Sequence, residues 1–120
     1  MVVIADAGKC VDRLGRYPLP VEIVRFGAIT TMREIRACLA ATGSDCEVTL
    51  RRDGAGDPFV SDEGNLIADC SGCMIDRPGP LARALAEIAG VVEHGLFVGF
   101  ATGAIIGQAG GQVITIGEVE

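Results

Sequence analysis

Residues 2–22 read Val2-Val-Ile-Ala-Asp6-Ala-Gly-Lys9-Cys-Val-Asp-Arg-Leu-Gly15-Arg-Tyr-Pro-Leu-Pro-Val-Glu22. Val2, Val3, Ile4 and Ala5 form a short apolar run rich in β-branched residues. Such a run predicts a strand buried on both faces. Asp6 ends it, Gly8 lets the backbone turn sharply, and Lys9 falls in the loop at the strand's carboxyl end. In open α/β sheets ligands bind at that edge. A lysine there is a compact positive charge suited to a phosphate or sugar oxygen. Position alone also suits a solvated loop lysine.

Downstream the pattern alternates between strands and helices. Leu19 to Phe26 reads as a strand with Val21, Ile23 and Phe26 on one side, and Pro18 and Pro20 keep its start out of regular pairing. Ile29 to Ala41 reads as a helix with an Ile29, Met32, Ile35 and Leu39 stripe. Thr31-Met-Arg-Glu34 has the capping-box pattern, and Gly43 suits the position just past the helix end. Cys46 to Arg51 alternates as a strand. Asp53-Gly-Ala-Gly-Asp57 reads as a glycine-rich hairpin tip before the short extended Phe59-Val60 piece. Leu66 to Cys70 is a further strand. Pro80 suits the first turn of a second helix, whose stripe is Leu81, Leu85 and Ile88 beside Ala84, with Gly90 as its stop. Val91 to Phe97 is the strand after it. Strand, helix, strand, strand, helix, strand is the α+β, ferredoxin-like split βαβ order (βαββαβ). The tail, Ala104 to Gly107, Gln108 to Gly111 and Gln112 to Ile116, reads as a β-hairpin.

Composition narrows the function classes. The chain has 120 residues, enough for one domain, or a small domain with pieces of another. It is 49% hydrophobic, and mean hydropathy is +0.42, which argues against disorder. Aromatic residues make up only 4%, so the core must be aliphatic. A net charge of −6 argues against nucleic acid as a main partner, which would need a basic face. No apolar run approaches the ~20 residues of a membrane span, and the first residues lack a basic n-region with a cleavage site. A cytoplasmic protein is expected.

Five cysteines are present, at positions 10, 38, 46, 70 and 73. An odd number without a signal peptide argues against a disulfide framework. Cys70-Ser-Gly-Cys73 could be half of a zinc site or a redox pair. A zinc site needs about two more ligands, the single histidine is His94, and there is no second C-x-x-C. Free, buried or half-buried thiols are the expectation, with no metal bound.

Asp6-Ala-Gly-Lys9, Val11, Leu14-Gly15 and Leu19-Pro20-Val21-Glu22 resemble, in order and spacing, the middle of type A ribose-5-phosphate isomerases. That family carries Asp-x-Ser/Thr-Lys, Leu-Gly and Leu-Pro-Val-Glu blocks. The resemblance continues through Gly64-Asn-Leu-Ile-Ala-Asp69, Ile75-Asp76 and Gly90-Val-Val-Glu-His-Gly-Leu-Phe97, and so covers nearly the whole chain. Gly8 departs from it, standing where the family usually has a hydroxyl residue.

The resemblance implies isomerisation of D-ribose 5-phosphate to D-ribulose 5-phosphate in the pentose phosphate pathway, without cofactor or metal. It implies that Lys9 contacts the phosphorylated substrate. It also implies a Rossmann-like part, made of residues 1–18 and 98–120, around a ferredoxin-like lid or oligomerisation domain at 19–97. The family's phosphate loop, Asp-Gly-Ala-Asp run, Lys-Gly-Gly-Gly loop and glutamate base would all lie before Val2. No catalytic residue is therefore expected in this chain, which resembles the C-terminal half of the isomerase and should be inactive alone. Asp6 is expected to shape its turn, and His94 to be structural or at a subunit surface. The Asp53 loop echoes the catalytic run but lies after Lys9, so no role passes to it. The expected partners are the N-terminal half or further copies of the chain, through the open Val2, Ile105 and Val113 strands. The competing reading is a stand-alone ferredoxin-like module for ligand binding or oligomerisation, and a thiol site ranks third.

Overall fold

The computed structural model describes residues 1–119. It has seven strands and two α-helices among those residues. In chain order they are β1 Val2–Asp6, β2 Leu19–Ile23, α1 Ala28–Ala41, β3 Glu47–Leu50, β4 Leu66–Ser71, α2 Pro78–Ala86, β5 Val91–His94, β6 Gly103–Gly107 and β7 Val113–Gly117. The chain divides into two compact units: Arg13–Leu96, and residues 1–12 with 97–119.

The Arg13–Leu96 unit is built on an antiparallel sheet of order β3-β4-β2-β5. Period-two alternation sends Leu19, Val21 and Ile23 of β2 to one face, where all are buried. Val48, Leu66, Ala68 and Cys70 join them there. Ile35 and Leu39 of α1 and Leu81 and Leu85 of α2 close the core, each fully buried. Burying a side chain of this kind is worth about 1.5–3 kcal/mol. The expected helix stripe on Leu81 and Leu85 is therefore present, with Ile88 and Ala84 half-buried beside it. Pro78 is the first residue of α2, and Pro80 falls in its first turn as expected.

Four local expectations fail in α1 and β2. Helix α1 starts on Gly27, in the left-handed region at φ 69°, with no side-chain cap. Thr31 lies one turn inside, its N–H donating to the Gly27 carbonyl at 2.9 Å, so the Thr31–Glu34 pair caps nothing. The buried stripe is Thr31, Ile35 and Leu39, while Ile29 is 76% exposed. At about 100° per residue, Ile29 stands about 120° from the centre of that stripe. Thr31 takes the inner face because Gly90 has no side chain there: a Cβ at Gly90 would lie 2.9 Å from Thr31 Cγ2. Strand β2 ends at Ile23, and the Arg25 carbonyl accepts the Ala28 N–H as the chain turns into α1, leaving Phe26 95% exposed. Pro20 does pair within β2, opposite Asp69. Its carbonyl faces β5, accepting the Gly95 N–H at 2.9 Å, so its missing donor falls at the end of that pairing.

The end of α1 agrees with expectation. Gly43 is left-handed at φ 82°. Ser44 N–H donates to Leu39 O at 2.8 Å and Gly43 N–H to Ala40 O at 3.1 Å, which completes a Schellman motif. The Asp53–Asp57 stretch is a hairpin tip, with Asp53 Oδ1 accepting the Ala55 and Asp57 amides.

Two cysteines expected to be free are bonded: Cys46 pairs with Cys73, their Cα atoms 4.9 Å apart. The β3–β4 register sets Glu47 opposite Ser71, which brings the residue before β3 to the turn after β4, within disulfide reach.

In the other unit, β1 runs parallel to β6 and β6 antiparallel to β7. The hairpin turns through Gly110 and Gly111, both left-handed, and Gln108 N–H donates to Gln112 O at 2.7 Å. Strand β1 is not buried on both faces as expected. Val2 and Val3 are 36% exposed and Ile4 81%. Among the described residues this unit has one short 3₁₀ turn and no α-helix to cover it.

Candidate functional site

The edge at which the parallel strands β1 and β6 end follows from strand direction. The parallel pair β1 and β6 runs in register from Val2 and Gly103 to Asp6 and Gly107, so both strands end on one edge. The chain then enters a 3₁₀ turn, Ala7–Lys9, closed by the Cys10 N–H donating to Ala7 O at 3.2 Å. Lys9 is the last residue of that turn and is exposed. A cation just past the carboxyl ends of two parallel strands stands where open α/β sheets receive ligands. Gly8 lies at the middle of that turn, so the chain does turn there as expected, and it does so without a positive φ. Asp6 precedes the turn but makes no capping bond through its side chain. Asp6 is the residue that leads into the turn, with the extended backbone usual at that position, φ −83°, ψ 167°.

The other polar groups singled out by sequence belong to the Arg13–Leu96 unit. Glu22 lies directly opposite Glu93 on neighbouring strands. Like charges so placed repel. Glu22 is held charged by two donors: Asn65 Nδ2 at 3.0 Å and Ser61 Oγ at 2.7 Å, both to Oε2. These bonds, the Asn65 one first, lower its pKa from the ordinary 4.5. Glu93 Oε1 accepts the His94 amide at 2.9 Å, and His94 Nδ1 accepts the Leu96 amide at 3.1 Å. His94 thus shapes the end of β5 through its own neighbours.

The 59–69 region carries contacts that sequence reading did not find. Arg51 binds Asp69 through Nη2–Oδ1 at 2.8 Å and Nε–Oδ2 at 3.0 Å, and stacks on Phe59 with 5.6 Å to the ring centroid. Arg13 likewise forks onto Asp76. The one signal for Arg51 was its place at the end of an alternating strand. For Arg13 and Asp76, far apart in sequence, there was none.

Cys70 is buried in the core and its thiol is pushed up to about 12, chiefly by burial. It is not joined to Cys73, so the C-x-x-C is not a redox pair. Among the described residues no group of three or more His, Cys, Asp or Glu side chains could hold a metal ion. Likewise, no helix there is long and apolar enough to cross a membrane.

Against this geometry, residues 1–111 match the family model described as ribose 5-phosphate isomerase A (phosphoriboisomerase A), an aldose–ketose isomerase family. The chain belongs to that family. It is 45% identical over 114 residues to the ribose-5-phosphate isomerase A of Parvibaculum lavamentivorans, covering 95% of this chain and 49% of that protein. The ribose 5-phosphate isomerase of Plasmodium falciparum superposes with a TM-score of 0.86 at 27% identity, over 99% of this chain and 51% of that one. A D-ribose-5-phosphate isomerase in complex with phospho-erythronic acid superposes at 0.77 with 28% identity, over 98% and 49%. The chain therefore spans about half the length of the relatives it matches.

Proposed function

We propose that this chain is part of a ribose 5-phosphate isomerase and contributes Lys9 to its substrate site. The observation that carries this reading is Lys9 itself, set at the carboxyl edge of the parallel β1–β6 pair within a matched family segment. The complex of a relative with phospho-erythronic acid supports a phosphorylated, sugar-derived ligand. In the reaction a carboxylate base moves a proton between C1 and C2 through an enediolate, while positioned donors hold the developing oxyanion. Lys9 holds the phosphorylated substrate in register for that transfer. The base comes from a segment outside this sequence, and a general base is worth about 10² to 10⁴ in rate, so the chain alone is inactive. A cytoplasmic setting belongs to the same reading, supported by a soluble phosphorylated substrate.

The Arg13–Leu96 unit is read as a ferredoxin-like module, supported by its strand order β3-β4-β2-β5 with both helical stripes in one core. It serves as lid or oligomerisation domain. Residues 1–12 and 97–119 form part of a Rossmann-like sheet, whose exposed β1 and β7 suit a supplied N-terminal half or a further copy of the chain.

The test is ketose formation from ribose 5-phosphate by the chain alone, then with the N-terminal half of a relative added. Silence alone and turnover on mixing are expected. Turnover by the chain alone would place a base within it, Asp6 or Glu93 first. Silence in both, with a folded chain, would favour an interaction module without chemistry.

A further inference from the structure

We propose that the Cys46–Cys73 disulfide is a redox-operated clasp, whose reduction releases the 72–76 turn and with it the chain segment beginning at Arg13. Independently of any catalytic role, the turn is the anchor for that segment. Ile75 N–H donates to Leu14 O at 2.7 Å, the one antiparallel bridge between the two stretches. Asp76 takes the Arg13 fork. Gly15, left-handed at φ 123°, lies so close beneath the Cys73 carbonyl that a Cβ would strike it. The turn that takes these contacts from residues 13–15 is tied to the start of β3 by the Cys46–Cys73 link, and is also held by Ser44 Oγ donating to Met74 O at 3.5 Å and by Ile75, 4% exposed in the core.

The placement of the sulfurs suits exchange. Cys46 and Cys73 are both half-buried, at the margin of the core rather than inside it. The competing thiols of the unit are quiet. Cys70 is 2% exposed and Cys38 is half-buried, and burial raises the pKa of each, so neither supplies a thiolate to scramble the bond. Cys70 points into the core from β4, whereas Gly72, left-handed at φ 77°, turns the chain before Cys73. That turn is why the bond joins 46 to 73 and not 70 to 73.

The chemistry is thiol–disulfide exchange with a dithiol reductant. Its thiolate attacks one sulfur of the pair, forming a mixed disulfide and releasing the other as thiolate. The second thiol of the reductant then displaces the first protein sulfur. Two electrons and two protons reach the protein, which holds two thiols, and the reductant leaves as its disulfide. Glutathione disulfide reverses the step, leaving two glutathione thiols.

The experiment is thermal melting, thiol titration and amide exchange of the chain poised across ratios of dithiothreitol to its oxidised form. Three reactive thiols are expected in the oxidised, unfolded chain, those of Cys10, Cys38 and Cys70, and five after reduction. Reduction should lower the melting temperature by roughly 10 °C, on the loop-closure scale for a bridge of this span. The Ile75 amide should lose protection before the amides of β2 do. Cys46→Ala/Cys73→Ala should melt like the reduced chain and ignore the redox ratio, while Cys38→Ala should keep the response. Five thiols without reductant, or a melting temperature that does not follow the thiol count, would overturn the proposal. The wild-type titration decides the matter even if the double variant does not fold.

Discussion

Arg13 and Asp76 lie 63 positions apart and share two 2.7 Å hydrogen bonds, Nε to Oδ1 and Nη2 to Oδ2. The fork lowers the pKa of Asp76 below its ordinary 3.8, the hydrogen bond first, and raises that of Arg13. Both side chains are more than half exposed, at 57% and 56%, so solvent screens the pair. Asp76→Asn should change the melting temperature only slightly, and the difference should vanish in about 1 M salt, where the Debye length is ~3 Å. Salt-insensitive destabilisation would show that packing of the 13–15 segment, not charge, carries the effect.

Glu22 sets an acid limit. Its folded pKa is depressed, so its contribution is present above the unfolded value near 4.5 and is lost as pH falls through the folded value. Glu22→Gln loses the charge-assisted part of the Ser61 and Asn65 bonds. The variant should be less stable than wild type at neutral pH, and the two should converge as pH falls below the depressed folded pKa. Denaturant unfolding at stepped pH reads this directly.

Gly90 and Thr31 should behave as one site. Gly90→Ala sets a methyl against Thr31 Oγ1 and Cγ2, and overpacking of this kind costs about 1–3 kcal/mol. Thr31→Ala removes both atoms, so the double variant should recover part of the loss. Strict additivity in a double-mutant cycle would mean that the backbone yields instead.

Leu85 is fully buried in α2 and belongs to the single core cluster of its unit. Leu85→Ala should cost about 2–5 kcal/mol by chemical denaturation. The exposed Ile29→Ala in α1 should cost almost nothing, although the helical spacing alone groups Ile29 with the core.

Lys9→Ala should lower kcat/KM of the assembled isomerase roughly 10- to 100-fold, the loss expected for a hydrogen bond to a charged group. Melting should not change, because Lys9 is exposed in a 3₁₀ turn. Unchanged kinetics would remove Lys9 from the substrate site.

Element order, the alternation in β2, the Leu81–Leu85 stripe and the Gly43 stop were legible because each depends on near neighbours in the chain. Lys9 was legible as a candidate because a β-branched run, a turn and a cation follow one another directly. The sequence by itself therefore determined which segments become strands and helices, and the family blocks they carry. Tertiary structure alone decided which helix face turns inward: a bare backbone at Gly90 admits Thr31 and leaves Ile29 in solvent. It decided that Cys73 bonds to Cys46, because strand register brings together residues 27 positions apart while Cys70 turns into the core. It also decided how far β1 is buried, since an apolar run is covered only where another element packs on it. Local periodicity reports what a segment prefers, whereas burial, pairing and charge contacts depend on partners that sequence distance does not reveal.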